Sequence, residues 1–299
     1  MALSGRTWII SYGGHEASIA SVGGGLRNYQ INGTDVIDGY SDEEIAPEAA
    51  GHLLAPWPGR IAGGRYGFGG GEHFLPINDP SHNAALHGLV QWCEWEATEV
   101  TSSAVTVEYG MPARPGYPWP LTLRTRWSVG PMGLRAAHTV SNIGSETVPF
   151  GFGVHPYVKV PDAELIDSGW VEMDASEQCV LDRDLIPSGF KDSEVKGRTD
   201  LAGLVLDNAY TGLERDSSGT STVRVGNGGK SVEVWADDSF DWFVLFTSDT
   251  RSGERRRGSI AVEPMTCPPN AFNDGRGLIE LGPSQAWFGV WGVKPVGFD

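Results

Sequence analysis

The sequence predicts an all-β protein, a sandwich or a barrel, because strand patterns and turn signals recur from one end of the chain to the other. The 41 glycines and 19 prolines among 299 residues suit short strands joined by tight connections. Alternation is clearest at residues 121–129, where large apolar side chains alternate with polar ones. No segment keeps a helical period over three turns, so few helices are expected.

The predicted strands extend over most of the chain, and the Asn32-Gly33 pair is a strong signal for a hairpin turn. Residues 42–54 form the best helix-like patch, although Pro47 and Gly51 interrupt it, and residues 201–206 are expected to form a short helical turn. No linker or internal repeat is visible, so residues 1–299 are expected to form a single domain. The predicted strands are residues 7–12, 17–22, 26–31, 35–37, 104–109, 121–129, 134–140, 221–225, 231–235, 241–247 and 287–293.

Composition narrows the possible partners. With 22 Lys and Arg against 38 Asp and Glu, the net charge of −16 opposes binding to nucleic acid or to an anionic membrane surface. Three scattered cysteines suit reduced thiols, and no signal peptide or long apolar run is visible, so a cytoplasmic location is expected. A small-molecule partner is favoured, and the sequence leaves the choice between a monomer and a homodimer open.

His155 is the first candidate for chemistry, in the stretch Pro-Phe-Gly-Phe-Gly-Val-His-Pro-Tyr. Pro156 removes a backbone donor and favours extended geometry at His155, so the imidazole is expected to project from the end of a strand. A shielded histidine can move protons near neutral pH. Alone, the motif fits a packed structural histidine at least as well.

Glu263 is the matching candidate for a base, because it follows Ile260, Ala261 and Val262 at the predicted end of an apolar strand. Partial burial raises the pKa of a glutamate toward the range useful for a general base. The alternative is a structural ion pair with arginine. Arg60 ends the stiff segment Ala-Pro-Trp-Pro-Gly-Arg, which can direct its guanidinium with little loss of entropy, or it can anchor a loop to a carboxylate.

The sequence lacks the motifs that are typical of several other catalytic mechanisms. The chain has neither a G-x-S-x-G elbow nor an H-E-x-x-H helix, and no complete G-x-G-x-x-G, so no dinucleotide or other cofactor is expected. The Gly-Gly-Lys-Ser stretch at residues 228–231 is interpreted as a hairpin turn. His73, His82 and His87 match no metal-ligand spacing, so no metal is expected either.

Five motifs in order resemble the aldose 1-epimerase (galactose mutarotase) family. They extend from the first quarter of the chain nearly to its end, and all five in register are highly specific. This sequence departs from the family pattern at Gly59, because many members of the family carry asparagine before the arginine. The motifs are Pro-Trp-Pro-Gly-Arg-Ile (56–61), Leu-His-Gly-Leu (86–89), Gly-Val-His-Pro-Tyr (153–157), Leu-Asp-Asn-Ala-Tyr (206–210) and Ala-Val-Glu-Pro-Met (261–265).

The resemblance implies a large antiparallel β-sandwich, the galactose mutarotase-like supersandwich, and interconversion of the α and β anomers of a free aldose. It implies that Glu263 is the general base on the C1 hydroxyl and His155 the general acid on the ring oxygen. Arg60 and His87 would stabilise charge near those oxygens, and Asp207 would accept hydrogen bonds from sugar hydroxyls.

Two other functions stay open. An epimerase of a phosphorylated hexose needs a cationic pocket, for which residues 255–257, all arginine, are the only dense basic run. A non-catalytic sugar-binding protein of the same fold needs no acid–base pair. Trp57, Trp92 and Trp242 are candidates for stacking on the sugar, although most tryptophans in β-sandwiches fill the core.

Overall fold

The computed structural model describes residues 2–298, which are organised almost entirely as β-strands. The strands of the first half are short at the N-terminus and longer toward residue 142. They are β1 (Thr7–Tyr12), β2 (His15–Ala20), β3 (Leu26–Ile31), β4 (Thr34–Asp35), β5 (Leu53–Leu54), β6 (Arg60–Ala62), β7 (Arg65–Phe68), β8 (Gly71–Phe74), β9 (Ala84–Leu86), β10 (Glu96–Val100), β11 (Ala104–Met111), β12 (Leu121–Gly130) and β13 (Gly133–Asn142).

The second half continues the same pattern. Helical structure among the described residues consists of α1 (Ala271–Asp274) and four single 3₁₀ turns, at Pro47–Ala49, Pro80–His82, Ile166–Ser168 and Gly253–Arg255. The strands are β14 (Val148–Phe150), β15 (Gly153–Val154), β16 (Tyr157–Val158), β17 (Trp170–Leu181), β18 (Pro187–Asp192), β19 (Lys196–Asp200), β20 (Asp207–Leu213), β21 (Ser221–Asn227), β22 (Lys230–Ala236), β23 (Trp242–Phe246), β24 (Ile260–Met265), β25 (Ile279–Leu281) and β26 (Ala286–Val296).

The strands build a large antiparallel β-sandwich, which confirms the predicted fold class. A 16-stranded sheet follows the main path β10-β11-β12-β13-β26-β22-β21-β17-β20-β23-β24-β15-β5. The sheet curls over on itself, since β22 packs against β24 although several strands separate them along the path. A four-stranded sheet, β1-β2-β3-β4, covers the region of β11, β12 and β13.

Alternation along β12 shows how the sequence specifies these layers. Leu121, Leu123, Thr125, Trp127 and Val129 are buried, whereas the residues between them are partly or fully exposed. Since side chains alternate between the two faces of a strand, one face of β12 enters the core and the other faces outward.

Most of the predicted strands are present, several of them with boundaries shifted by one to three residues, but two helical expectations were wrong. Residues 42–54 contain only a 3₁₀ turn and β5, and residues 201–206 are irregular rather than helical. β24 does not end at Glu263, because it continues through Pro264 to Met265. The 12-residue strand β17 was missed, since the acidic and polar residues of its exposed face hide the apolar alternation. The glycine-rich run after residue 62 forms the hairpin of β7 and β8.

One face of the sheet carries the cleft that the following section describes. β20, β23 and β24 are neighbours, and their register aligns Ala209 with Val244 and Val244 with Glu263. Paired residues point to the same face of a sheet, so these side chains share one surface. No helix among residues 2–298 is long and apolar enough to cross a membrane.

Candidate active site

A cleft of about 550 Å³ opens on this face of the sheet, within the size range of small-molecule sites. All five residues singled out in the sequence line it, although they come from segments far apart in the chain. They are Arg60, His87, His155, Asp207 and Glu263.

Glu263 lies at the floor of the cleft on β24. Its side chain is only 3 % exposed, and Oε2 has no hydrogen-bond partner among the described residues. Burial raises the pKa of Glu263 well above its ordinary value, the charge of Asp207 raises it further, and the charge of Arg60 opposes both effects. The carboxyl group is therefore held ready to exchange a proton.

His155 lies beside Glu263, in the break between β15 and β16. Its Nε2 is 3.5 Å from Oε1 of Glu263. The backbone is held on both sides, since the N–H of His155 donates to the carbonyl of His52 at 3.2 Å and its carbonyl accepts from the N–H of Gly51 at 2.8 Å. The imidazole stacks on Tyr157, with ring centroids 4.9 Å apart. Burial lowers the pKa of His155 to about 3, and the charge of Arg251 contributes to the decrease.

His87 adds a hydrogen-bond donor next to the pair. Its ring meets that of His155 edge to face, with centroids 5.3 Å apart. The backbone N–H of Gly59 donates to Nδ1 of His87 at 3.2 Å, so the proton of the neutral imidazole is on Nε2. Burial lowers the pKa of His87 well below its ordinary value, and the charges of His155 and Arg60 act in the same direction. His87 therefore remains a neutral donor.

Arg60 enters the cleft from β6, which pairs with β9. Its Nε donates to Oδ2 of Asp79 at 2.8 Å, and its side chain is 18 % exposed. Asp79 also accepts from Ser81 and His82. Burial disfavours the charge of Asp79, but these three hydrogen bonds and the charge of Arg60 together lower its pKa to about 2. A permanently ionised carboxylate thus fixes the guanidinium.

Asp207 begins β20 and is open to the cleft. Although its side chain reaches solvent, the surrounding protein removes enough water to raise the pKa of Asp207, against the charges of Arg60 and His82. No side-chain hydrogen bond or ion pair is found for Asp207 among residues 2–298. It is a free acceptor.

Other residues of the cleft were not predicted. Tyr157 belonged to a recognised motif, and Asp79 lay in a polar loop segment, but nothing local distinguished Glu48. Of the three tryptophans considered, Trp92 lines the cleft and is 53 % exposed, whereas Trp57 and Trp242 are buried. The further lining residues that carry polar side chains are Asn78, Ser81, Gln91, Asn208 and Thr250.

The three histidines weighed as metal ligands lie in different surroundings. His73 packs against Tyr66 and Trp119, while His82 hydrogen-bonds to Asp79. Within the described part of the chain, no group of three or more His, Cys, Asp or Glu side chains is arranged to hold a metal ion.

Comparison with known proteins gives consistent matches over nearly the whole chain. The family model described as "Aldose 1-epimerase" matches residues 7–292. The chain is 31 % identical over 304 residues to the uncharacterized protein YihR of Escherichia coli K12, covering 98 % of this chain and 96 % of that one.

Solved structures share the fold at lower identity. A putative aldose 1-epimerase from Escherichia coli K12 is 19 % identical, with a TM-score of 0.83 over 97 % of this chain and 99 % of that one. The GalM/aldose epimerase homologue from C. elegans is 17 % identical, with a TM-score of 0.85 over 98 % of this chain and 100 % of that one.

Proposed function

Because this chain belongs to the aldose 1-epimerase family, we propose that it interconverts the α and β anomers of a free aldose, with Glu263 as general base and His155 as general acid. The observation that carries the proposal is the buried pair itself, with Nε2 of His155 3.5 Å from Oε1 of Glu263. The two oxygens that must exchange protons, O1 and the ring oxygen, are both bonded to C1. Two neighbouring protein groups therefore suit a single anomeric centre.

The reaction needs one proton accepted and one donated in each direction. The Glu263 carboxylate takes the proton from O1, and the His155 imidazolium donates its proton to the ring oxygen. The C1–O bond of the ring breaks as the C1=O1 double bond forms, which gives the open-chain aldehyde. Rotation about C1–C2 presents the other carbonyl face. On closure the ring oxygen gives its proton back to His155 as it attacks C1, and Glu263 gives its proton back to O1.

The pair needs one proton in total for this cycle. Burial raises the pKa of Glu263 and lowers that of His155, so in the empty cleft the proton rests on Glu263. The proposed roles require it to move to His155 when the O1 hydroxyl of the sugar donates to Glu263. Both arrangements contain the same number of protons, and the pair titrates as one unit.

The remaining residues support the same chemistry. His87, with its proton on Nε2, and Arg60, fixed by Asp79, supply donors for the negative charge that develops on the sugar oxygens. Asp207 is free to accept hydrogen bonds from ring hydroxyls and to orient the sugar.

Anomer exchange, measured by polarimetry or NMR on freshly dissolved α-glucose and α-galactose, tests the proposal. Glu263→Gln and His155→Asn are each expected to reduce kcat by about 10²- to 10⁴-fold. Glu280→Gln, at an exposed glutamate outside the cleft, is the matched control and should retain full activity. If the wild type equilibrates no aldose faster than buffer does, the catalytic proposal is refuted.

Action on a phosphorylated hexose is less well supported. Arg255 pairs with Glu44, Arg257 pairs with Asp167 and Asp249, and none of residues 255–257 lines the cleft. Arg60, the arginine that lines the cleft, is already paired with Asp79, and Asp207 adds an unpaired carboxylate, so a phosphate would find repulsion rather than a free cation there. A preference for glucose 6-phosphate over glucose would reverse this ranking.

A non-catalytic sugar-binding role would leave the acid–base pair without a purpose. Burying a titratable glutamate beside a titratable histidine is unfavourable for folding, and binding alone does not require it. The predicted single domain and cytoplasmic location belong to this proposal as well, and size-exclusion chromatography with light scattering distinguishes a monomer from a homodimer.

A further inference from the structure

We infer that Glu48 is a second carboxylate that selects the sugar, accepting a hydrogen bond from a different hydroxyl than Asp207 does. The inference rests on the proposed function. In the strand order β20-β23-β24-β15-β5, Asp207 lies on β20 and Glu263 on β24, and Glu48 lies in the 3₁₀ turn that precedes β5. The two carboxylates therefore flank Glu263 on opposite sides of the same cleft.

Arg251 holds Glu48 in place. The guanidinium side chain is 1 % exposed, and its Nε lies 2.9 Å from Oε2 of Glu48, which is itself 46 % exposed. Arg251 is also anchored by Asp38 at 3.0 Å and by Ser259 at 3.1 Å. This close ion pair, which lacks hydrogen-bond geometry, holds one oxygen of Glu48 from the protein side. No hydrogen bond occupies its Oε1 among the described residues, which leaves that oxygen available to a ligand.

The backbone at Glu48 is unusual for its residue types. Glu48 and Ala49 have φ values of 50° and 58°, so two successive residues with Cβ atoms adopt the left-handed conformation. Such conformations are unfavourable, and they cluster at functional sites where the surroundings enforce them. Here the conformation brings the Glu48 side chain to the cleft, directly before the segment whose Gly51 N–H donates to the carbonyl of His155.

The same arginine also supports the proposed acid. Cζ of Arg251 lies 4.1 Å from the ring centroid of Tyr157, and Tyr157 stacks on His155 with centroids 4.9 Å apart. Arg251 is therefore a positioning residue for Glu48 on one side and for the His155 imidazole, through Tyr157, on the other. Arg251 therefore positions both the proposed sugar-binding residue Glu48 and the proposed acid His155.

A panel of deoxy sugars tests the assignment. The ratio of kcat/KM for glucose to kcat/KM for its 2-, 3-, 4- and 6-deoxy analogues is measured by anomer exchange for the wild type, Glu48→Gln, Glu48→Ala and Asp207→Asn. In the wild type, removal of a hydroxyl bound by a carboxylate should reduce kcat/KM on the order of 10- to 100-fold. In Glu48→Ala the ratio of kcat/KM for glucose to that for one deoxy analogue should fall to about 3-fold or less. Asp207→Asn should lower the ratio in the same way for an analogue that lacks a different hydroxyl.

Controls separate this inference from the proposed function and from general damage. Glu43→Gln, at an exposed glutamate outside the cleft, should leave the panel unchanged. Arg251→Lys keeps the charge but not the planar fork, and should weaken discrimination at the Glu48 position while lowering kcat. Circular dichroism checks that each variant is folded.

The outcomes are distinct. If the wild type is active but Glu48→Ala leaves every ratio unchanged, or lowers kcat/KM equally for glucose and all four analogues, the inference is wrong and the proposed function survives. If the wild type equilibrates no aldose in the panel, both are overturned. A change confined to one hydroxyl position, distinct from that of Asp207→Asn, supports the inference.

Discussion

At the scale of the residue, the chemistry depends on how burial redistributes protons. Glu263 and His155 are 3 % and 5 % exposed, and water is replaced around both by protein atoms. Desolvation favours the neutral form of each group, so it raises the pKa of the carboxyl and lowers that of the imidazole. Folding therefore keeps in a neutral state two groups that would be ionised in water at a pH between their ordinary values.

Replacing the buried carboxyl should change how stability depends on pH. Because the pKa of Glu263 is higher in the folded than in the unfolded state, wild-type stability falls as pH rises above the ordinary value of 4.5. Glu263→Gln removes this dependence. Relative to the wild type, the variant should gain stability as pH rises from 4.5 to the raised pKa of Glu263, by about 1.4 kcal/mol for each unit by which the pKa is raised. Urea unfolding across this range, with Glu280→Gln alongside, measures the gain. A difference that does not change with pH would contradict the burial of an ionisable Glu263.

The pH dependence of kcat/KM should reflect the same pair. Activity requires one shared proton, so it is lost on the acid side only when His155 also becomes protonated, near its lowered pKa of about 3. On the alkaline side it is lost when the pair gives up its proton, at the raised pKa of Glu263. We expect kcat/KM for the free enzyme to stay level from below the raised pKa of Glu263 down to about pH 4. Stopped-flow polarimetry checks this. An acid limb with a midpoint above 4.5, the ordinary value for glutamate, would show that the pair does not titrate as described.

At the scale of the element, turns rather than strands set the donor geometry. Gly59 adopts φ of 64°, and its N–H orients the imidazole of His87. Glycine and asparagine are the residues that most readily adopt the left-handed conformation. The turn therefore needs a backbone conformation at position 59 before it needs a side chain.

Adding a Cβ at this turn should affect both stability and activity. In Gly59→Ala the new atom would lie 3.0 Å from Cγ of Pro269 in a backbone conformation unfavourable to alanine. We expect a loss of about 1–2 kcal/mol in stability. We also expect a decrease in kcat/KM on the order of 10-fold, because relief of the clash displaces the backbone N–H that orients His87. Gly69→Ala is the matched control, since Gly69 has φ of 60° with no atom within 4 Å. It should lose similar stability but no activity. Equal losses of activity in both variants would refute a specific role for Gly59.

At the scale of the whole molecule, the excess of negative charge disfavours the binding of anionic ligands. The net charge of −16 is accompanied by an acidic cleft, in which Glu48, Asp79 and Asp207 accompany the single arginine Arg60 and Glu263 is held neutral. Electrostatic repulsion by such a surface slows the approach of anions and is screened by salt.

Ionic strength should therefore distinguish neutral from phosphorylated sugars. We expect kcat/KM for glucose to change little between low salt and about 0.5 M NaCl, where screening is strong. For glucose 6-phosphate we expect a lower value that rises with salt. Anomer exchange on both sugars at several NaCl concentrations is the measurement. A decrease with salt for the phosphorylated sugar would instead indicate an attractive cationic site.

The sequence by itself predicted the all-β architecture and the candidate residues Arg60, His87, His155, Asp207 and Glu263, because each lies in a short local motif. Strand alternation in β12 and the glycine- and proline-rich turns are likewise local properties. The long strand β17 was not predicted, since the acidic and polar residues of its exposed face conceal the apolar alternation.

Only the tertiary structure decided which groups meet. The register of β20, β23 and β24 places Asp207 and Glu263 on one surface, and backbone hydrogen bonds bring the Gly51–His52 segment to His155. The tautomer of His87 and the anchoring of Glu48 by Arg251 follow from contacts between residues distant in the chain, and the ionised state of Asp79 depends in part on Arg60. Burial and Coulomb interactions act through space, so residue order alone does not determine them.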